Sequence, residues 1–133
     1  MKKTIAFICT HNSCRSIMAE GFLKYLASES FNIYSAGTKK YSKPKPMAIK
    51  VMEDLGIDMS HATSKLLDAI PNKFDILITM GCGVECPYIP AKHREDWGLD
   101  DPSGGPKVAF EVTRDLIKIK VIELIERVKN NNL

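Results

Sequence analysis

No apolar run in this sequence approaches the ~18 residues needed to span a bilayer, which excludes a membrane-spanning role. Charge of one sign is not in excess either. Nineteen Lys and Arg against sixteen Asp and Glu leave a formal +3, too mild a basic balance to mark a nucleic-acid surface. The start, Met1-Lys2-Lys3, carries the charge of an export signal. The apolar stretch behind it lasts only about five residues before Thr10-His11-Asn12, which is too short for an export segment. Repeats, linkers and low-complexity tracts are missing, so collagenous and disordered classes are excluded as well. What is there is 133 residues, 44% of them apolar, enough for one domain over 1–133 with its own core. A soluble, cytoplasmic, monomeric protein is expected.

Cysteine is scarce: Cys9, Cys14, Cys82 and Cys86. In a small secreted chain four cysteines suggest two disulfides. In a cytoplasmic chain with this much core they are more often catalytic, metal-binding or buried, and their neighbours decide.

Strand and helix patterns alternate along the chain. Thr4 to Ile8 is a short β-rich run fit for a buried strand, and Ile17, Met18, Phe22, Leu23 and Leu26 recur at helical spacing over 16–28. Phe31 to Ser35 alternates as a second strand, and residues 38–46 form a turn-rich loop with lysines at 39, 40, 43 and 45. A helix is expected over 47–55, stopped by Gly56, and a short one over 63–70, ended by Pro71. Phe74 to Met80 is a third strand, apolar enough for a sheet covered on both faces. Five Gly and four Pro make residues 81–106 mostly loop, with a short strand near Trp97, and a long helix over 108–129 closes the chain. The charged pairs and triplets of Lys118 to Lys129 read as its wet face. The fold class is therefore α/β with a parallel sheet, whose ligands sit beyond the carboxyl ends of the strands. Cys9 ends the first strand and Cys82 follows the third, which puts both on that rim.

Cys9-Thr10-His11-Asn12-Ser13-Cys14-Arg15-Ser16 spells C-x5-R-S between a strand and a helix. A loop entering a helix N-terminus aims backbone N–H groups inward, a nest for a tetrahedral oxyanion. Arg15 adds a two-pronged cationic grip, and the same positive field favours a thiolate at Cys9. A thiolate beneath a cradled oxyanion is a nucleophile aimed at its central atom. The bare pattern also arises by chance, as two core cysteines and a surface arginine, and the flanking strand and helix give it its weight. Cys14 reads as a small buried packing residue.

These residues, with Met18-Ala19-Glu20-Gly21, Tyr34-Ser35-Ala36-Gly37 and Trp97-Gly98-Leu99-Asp100-Asp101-Pro102, resemble the thioredoxin-coupled arsenate reductases, which share the low-molecular-weight protein tyrosine phosphatase fold. The likeness runs from about residue 4 to 128. It implies a four-stranded parallel sheet flanked by helices on both faces, Cys9 as nucleophile, and residues Thr10 to Ser16 as the oxyanion site. Asn12 would brace that loop and Ser16 would donate a hydrogen bond to the Cys9 thiolate. The family's general acid is the Asp before Pro, which matches Asp101 rather than Asp100. Expelling an oxygen demands a proton, and a carboxyl partly desolvated beside an anion would have the raised pKa required.

Gly81-Cys82-Gly83-Val84-Glu85-Cys86-Pro87 separates reductase from phosphatase. Arsenate and phosphate share shape and charge, but only As(V) takes two electrons from thiols. The resemblance implies that Cys82 attacks the Cys9 adduct, and that Cys86 then leaves a Cys82–Cys86 disulfide for thioredoxin. On one helical turn their Cα atoms would be ~6 Å apart, inside the disulfide range. Better-known members have a longer stretch between these cysteines, which leaves the size of the loop movement open. No bound cofactor is implied; the reducing equivalents come from thioredoxin, and phosphate or sulfate would mimic arsenate.

Other readings stay open. A phosphatase would use Cys9 alone, and a non-enzymatic sensor would bind an oxyanion or metal through its thiols. Cys82, Cys86 and His93 offer three metal ligands, though the spacing fits no standard zinc pattern, so no metal is expected. Some family members hold potassium with residues matching Asn12, Glu20 and Ser35 plus an Asp. That last position is Lys65 here, a cation that should repel the ion and replace its charge. His11 reads as a surface loop side chain, the four lysines as a solvated loop that helps to draw in an oxyanion, and Trp97 as packing.

Overall fold

A computed structural model describes residues 2–39, 43–81 and 88–133. Four strands, β1 (Lys3–Cys9), β2 (Phe31–Gly37), β3 (Phe74–Thr79) and β4 (Ala91–Asp96), form one parallel sheet in the order β2-β1-β3-β4. Three α-helices accompany it: α1 (Arg15–Ala27), α2 (Pro46–Glu53) and α3 (Lys107–Lys129). Among the described residues no helix is long and apolar enough to cross a membrane.

The strand period of two sorts the β1 side chains between two cores. Ile5, Phe7 and Cys9 join Phe22 of α1, Met52 of α2 and Ile117 of α3 in the larger one. Ala6 and Ile8 face the other side with Ala36, Phe74 and Leu77. Burying each large side chain such as Phe7 or Phe22 contributes about 1.5–3 kcal/mol. On α3, Phe110, Thr113, Arg114, Ile117, Val121 and Leu124 recur at three- and four-residue spacing and are buried, as an amphipathic helix requires. Its outer face is less polar than expected, because Val108, Val112, Leu116, Ile119 and Ile122 are exposed among the charges.

One expectation changes and another is met. The helix expected over 63–70 shrinks to a single 3-10 turn at Leu67–Ala69, so helical cover on the second face is this one turn among the described residues. The cause lies in Lys65: its N–H donates to Asn12 Oδ1 (2.8 Å) and its carbonyl accepts from Gly37 N–H (2.7 Å). Those backbone groups are used outside any helix. The strand near Trp97 is β4, which ends one residue before it.

Register sets the working edge. Ile8 is opposite Ala36 and Thr79, Thr79 is opposite Asp96, and Cys9 is opposite Gly37. The carboxyl ends of all four strands therefore align, and the loop after β1 leaves from the middle of that edge.

Candidate active site

Residues 9–16 wrap from the end of β1 into the first turn of α1. Asn12 holds a left-handed backbone (φ 51°), which asparagine tolerates better than most residues. Its amide is oriented by its neighbours. The Lys65 N–H requires an acceptor, so Oδ1 faces it, and Nδ2 then donates to Ser16 Oγ at 2.8 Å. Cys9 Sγ lies 2.9 Å from the same oxygen, and a Cys9 thiolate, having no proton of its own, takes the hydroxyl proton as acceptor. A donor aimed at the sulfur stabilises negative charge on it. The expected bracing by Asn12 and the Ser16–Cys9 contact are thus one chain of hydrogen bonds.

The outside of the loop is pinned by hydrogen bonds to its main-chain carbonyls. Ser64 Oγ donates to Asn12 O (2.7 Å), Lys39 N–H to Thr10 O (2.8 Å) and Lys45 N–H to Ser13 O (2.7 Å). The lysine-bearing segment is therefore fastened to the loop at both ends, at Lys39 and Lys45. Gly37 is where β2 passes beneath it. A Cβ there would lie 2.7–2.8 Å from backbone atoms of His11, Asn12 and Thr10, so glycine is required for space.

Arg15 is buried, and its Nη1 donates to the carbonyls of Met80 and Leu99, the latter at 2.7 Å. Met80 follows β3 and Leu99 follows β4, so the guanidinium is aligned by both strand exits. Its Nη2 lies 3.9 Å from Asp101 Oδ2. Asp101 departs from expectation in one respect. Partial burial pushes its carboxyl up, but the N–H of Ser103 (3.0 Å), its hydroxyl, and the charges of Arg15 and His11 together hold it below the ordinary value. Its side chain is 45% exposed, which limits the desolvation. His11 is exposed on the loop, Ser13 is buried and Thr10 half-buried.

Cys14 is buried, and that burial, with the Asp101 and Cys9 charges nearby, pushes its thiol up to about 12. It stays protonated and packs, as expected. Cys82 and Cys86 lie outside the described residues. The residue before them, Gly81, has φ +90°, and a Cβ on it would stand 3.5 Å from Arg15 Nη1. Asp96 fixes this point, its Oδ1 accepting from Gly81 N–H and Thr79 Oγ1, both at 2.8 Å. Sequence reasoning passed over Asp96, Ser64 and the role of Gly37. An aspartate in a strand with no large apolar residue carries no local signal, whereas a glycine closing the second strand run, Gly37, was a usable one.

Trp97 packs on Phe7 (ring centroids 5.7 Å apart), and its indole N–H donates to Glu95 at 3.1 Å. His93 lies 3.3 Å from the same carboxylate. The residues matched to a potassium site do come together: Ser35 Oγ donates to Glu20 Oε1 at 2.6 Å. They do not fit a bound cation. The Lys65 ammonium stands 3.9 Å from that oxygen, and Asn12 Oδ1 already accepts the Lys65 N–H.

Residues 4–133 match the family of low molecular weight phosphotyrosine protein phosphatases. An arsenate reductase of Staphylococcus aureus (strain bovine RF122 / ET3-1) is 46% identical over 124 residues, covering 90% of this chain and 94% of that protein. Arsenate reductase 1 of Staphylococcus epidermidis is 44% identical over 131 residues, 96% and 98% of the two chains. Among solved structures, an arsenate reductase in the phosphate binding state superposes with a TM-score of 0.85 at 38% identity, covering 96% of this chain and 98% of its own. An arsenate reductase in the oxidized state gives 0.85 at 36% identity, over 95% and 98%. A Corynebacterium glutamicum thioredoxin-dependent arsenate reductase gives 0.82 at 28% identity, over 98% of this chain and 63% of that one.

Proposed function

The chain belongs to the low molecular weight phosphotyrosine protein phosphatase family, and on that footing we propose how it works as a thioredoxin-dependent arsenate reductase. Arsenate is held by the N–H groups of residues Thr10 to Ser16 and by the Arg15 fork. The Cys9 thiolate, steadied by Ser16, attacks arsenic, and an arsenate oxygen leaves as water with a proton from Asp101. In the free protein Asp101 is held ionised. Arsenate between the two side chains engages the Arg15 charge and sets negative charge beside the carboxylate, and both push Asp101 upward. Substrate binding thus makes the acid.

The Cys82 thiolate then attacks the Cys9 sulfur. The sulfur–arsenic bond breaks with its electron pair left on arsenic, so As(V) becomes As(III) and arsenite departs from a Cys9–Cys82 disulfide. Cys86 attacks Cys82, freeing Cys9, and the two thiols of thioredoxin reduce the Cys82–Cys86 disulfide. The scheme needs no bound cofactor and a single copy of the chain.

The observation that carries this reading is Cys9 Sγ 2.9 Å from Ser16 Oγ, in a loop whose Arg15 faces Asp101 at 3.9 Å. The experiment is NADPH oxidation with thioredoxin, thioredoxin reductase and arsenate. Consumption should require arsenate and should vanish in Cys9→Ser; retained turnover in that variant places the nucleophile elsewhere. The same Cys9, Arg15 and Asp101 favour a second, weaker activity on phosphate esters through a Cys9 phosphate cleared by water, in which Cys82 and Cys86 have no part.

A further inference from the structure

Glu20 projects from α1 into the interior behind the anion loop, where it is 7% exposed. A carboxylate in such a place requires countercharge. Two ammonium groups supply it: Lys24 Nζ, 3.1 Å from Oε2 and 56% exposed, and Lys65 Nζ, 3.9 Å from Oε1 and 25% exposed. They differ in what else they hold. Lys24 is one turn along α1. Lys65 sits in the segment that braces the loop, where its own N–H holds Asn12 Oδ1, its carbonyl holds Gly37 and the Ser64 hydroxyl holds Asn12 O. The ammonium also donates to Thr63 O at 2.7 Å, closing a small ring at the same point.

We propose that Lys65 is a positioning residue, a tethered internal cation that neutralises Glu20 and thereby holds Asn12, and through it Ser16 and Cys9, without any dissolved cation. Where a dissolved cation would come and go beside Glu20, the lysine carries its positive charge on the chain that braces the loop. Burial foremost, with the Lys24 charge, brings the Lys65 ammonium below its ordinary value, and the Glu20 carboxylate opposes that shift. A cavity of about 670 Å³, lined by Glu20, Lys24, Tyr34, Asp58, His61 and Lys65 among others, lets a dissolved cation reach Glu20 once the lysine head is removed. Loss of the ammonium should therefore be repairable from solution.

The proposal rests on the reading of residues 9–16 as an oxyanion site, so the probe is inorganic phosphate, its affinity measured by calorimetry rather than by turnover. Wild type, Lys65→Met and Lys65→Arg are compared in choline chloride, then with potassium or sodium chloride substituted at constant ionic strength. Wild type and Lys65→Arg should bind alike and change less than twofold with the cation. Lys65→Met should bind about tenfold more weakly in choline, the loss of a roughly 1.4 kcal/mol contribution, and regain most of it in potassium or sodium. Lys65→Gln replaces Lys65→Met if the latter does not fold. Unchanged affinity in the neutral variants, a loss that no cation repairs, or a wild type that itself tightens severalfold with potassium overturns the proposal. Failure of every protein, wild type included, to bind phosphate overturns instead the oxyanion-site reading beneath it.

Discussion

Arg15 Nη2 lies 3.9 Å from Asp101 Oδ2 while Arg15 Nη1 is held by the carbonyls of Met80 and Leu99. The arginine is thus anchored through one nitrogen and pairs through the other with the residue assigned as acid. The two strand exits that fix the guanidinium also fix how far Asp101 can stand from the loop, since Leu99 is two residues before it. In the proposed scheme an oxyanion arriving at the loop would compete with Asp101 for the same guanidinium, and that competition would couple binding to proton supply.

Asp101→Asn should lower turnover on the order of 10²–10⁴-fold, because the leaving oxygen loses its proton donor. Phosphate or sulfate binding should survive, since the competing carboxylate charge is gone while the loop and Arg15 remain. Steady-state rates set beside calorimetric phosphate affinity separate the two effects. Asp100→Asn should be near wild type; a large defect there instead would move the acid by one residue.

Gly37→Ala tests the close passage of β2 beneath the loop. Its added Cβ would fall 2.7–2.8 Å from three backbone atoms of residues 10–12, none of which is the end of a flexible side chain. The expected cost is about 1–3 kcal/mol of stability, as for other overpacked sites, with phosphate affinity falling as the loop is displaced. Denaturant titration and calorimetry check both; an alanine variant with unaltered affinity would show that the loop tolerates the shift.

The loop over 9–16 was legible because its parts are local: an apolar strand, C-x5-R-S and a run with apolar residues at helical spacing lie within 30 residues of one another. What was not legible depends on distant partners. The stretch 63–70 has helical composition, yet Asn12 and Gly37 take the Lys65 backbone groups that a helix would use. Strand β4, Ala91-Lys-His-Arg-Glu-Asp, has no large apolar residue, because as an edge strand it is held chiefly by its backbone pairing with β3 and by Glu95 reaching Arg127. The direction of the Asp101 shift turned on the Ser103 N–H, which a turn sequence suggests only once its geometry is known.

Glu95 ties β4 to α3 and to Trp97, and this gives a pH prediction. Hydrogen bonds from Arg127 foremost, against the opposing effect of burial, and then from Trp97 and His93, bring its carboxyl from 4.5 down to about 2. A depressed carboxylate contributes stability that is complete above its unfolded value and lost as pH falls through its folded one. Wild type should therefore exceed Glu95→Gln by at most about 3 kcal/mol above pH 5, less what solvent screening of the partly exposed Arg127 removes. That gap should close between about pH 4.5 and 2. Urea melts of both proteins across this window read it, and a gap that stays constant would mean the carboxylate's charge is not what stabilises.

The central claim is that electrons leave through three thiols in a fixed order, and trapping the intermediates tests it most directly. Cys82→Ser and Cys86→Ser are each given a single addition of arsenate without thioredoxin, and the disulfides are mapped by mass spectrometry while released arsenite is measured. Without Cys86, one equivalent of arsenite should appear and the protein should stall as a Cys9–Cys82 disulfide, because no thiol remains to free Cys9. Without Cys82, no arsenite should leave unless an external thiol is supplied. Any phosphate-ester cleavage should persist in both variants, since Cys9, Arg15 and Asp101 are intact. Normal multiple turnover of both variants with thioredoxin, or arsenite release without a Cys9–Cys82 disulfide in Cys86→Ser, would contradict the relay.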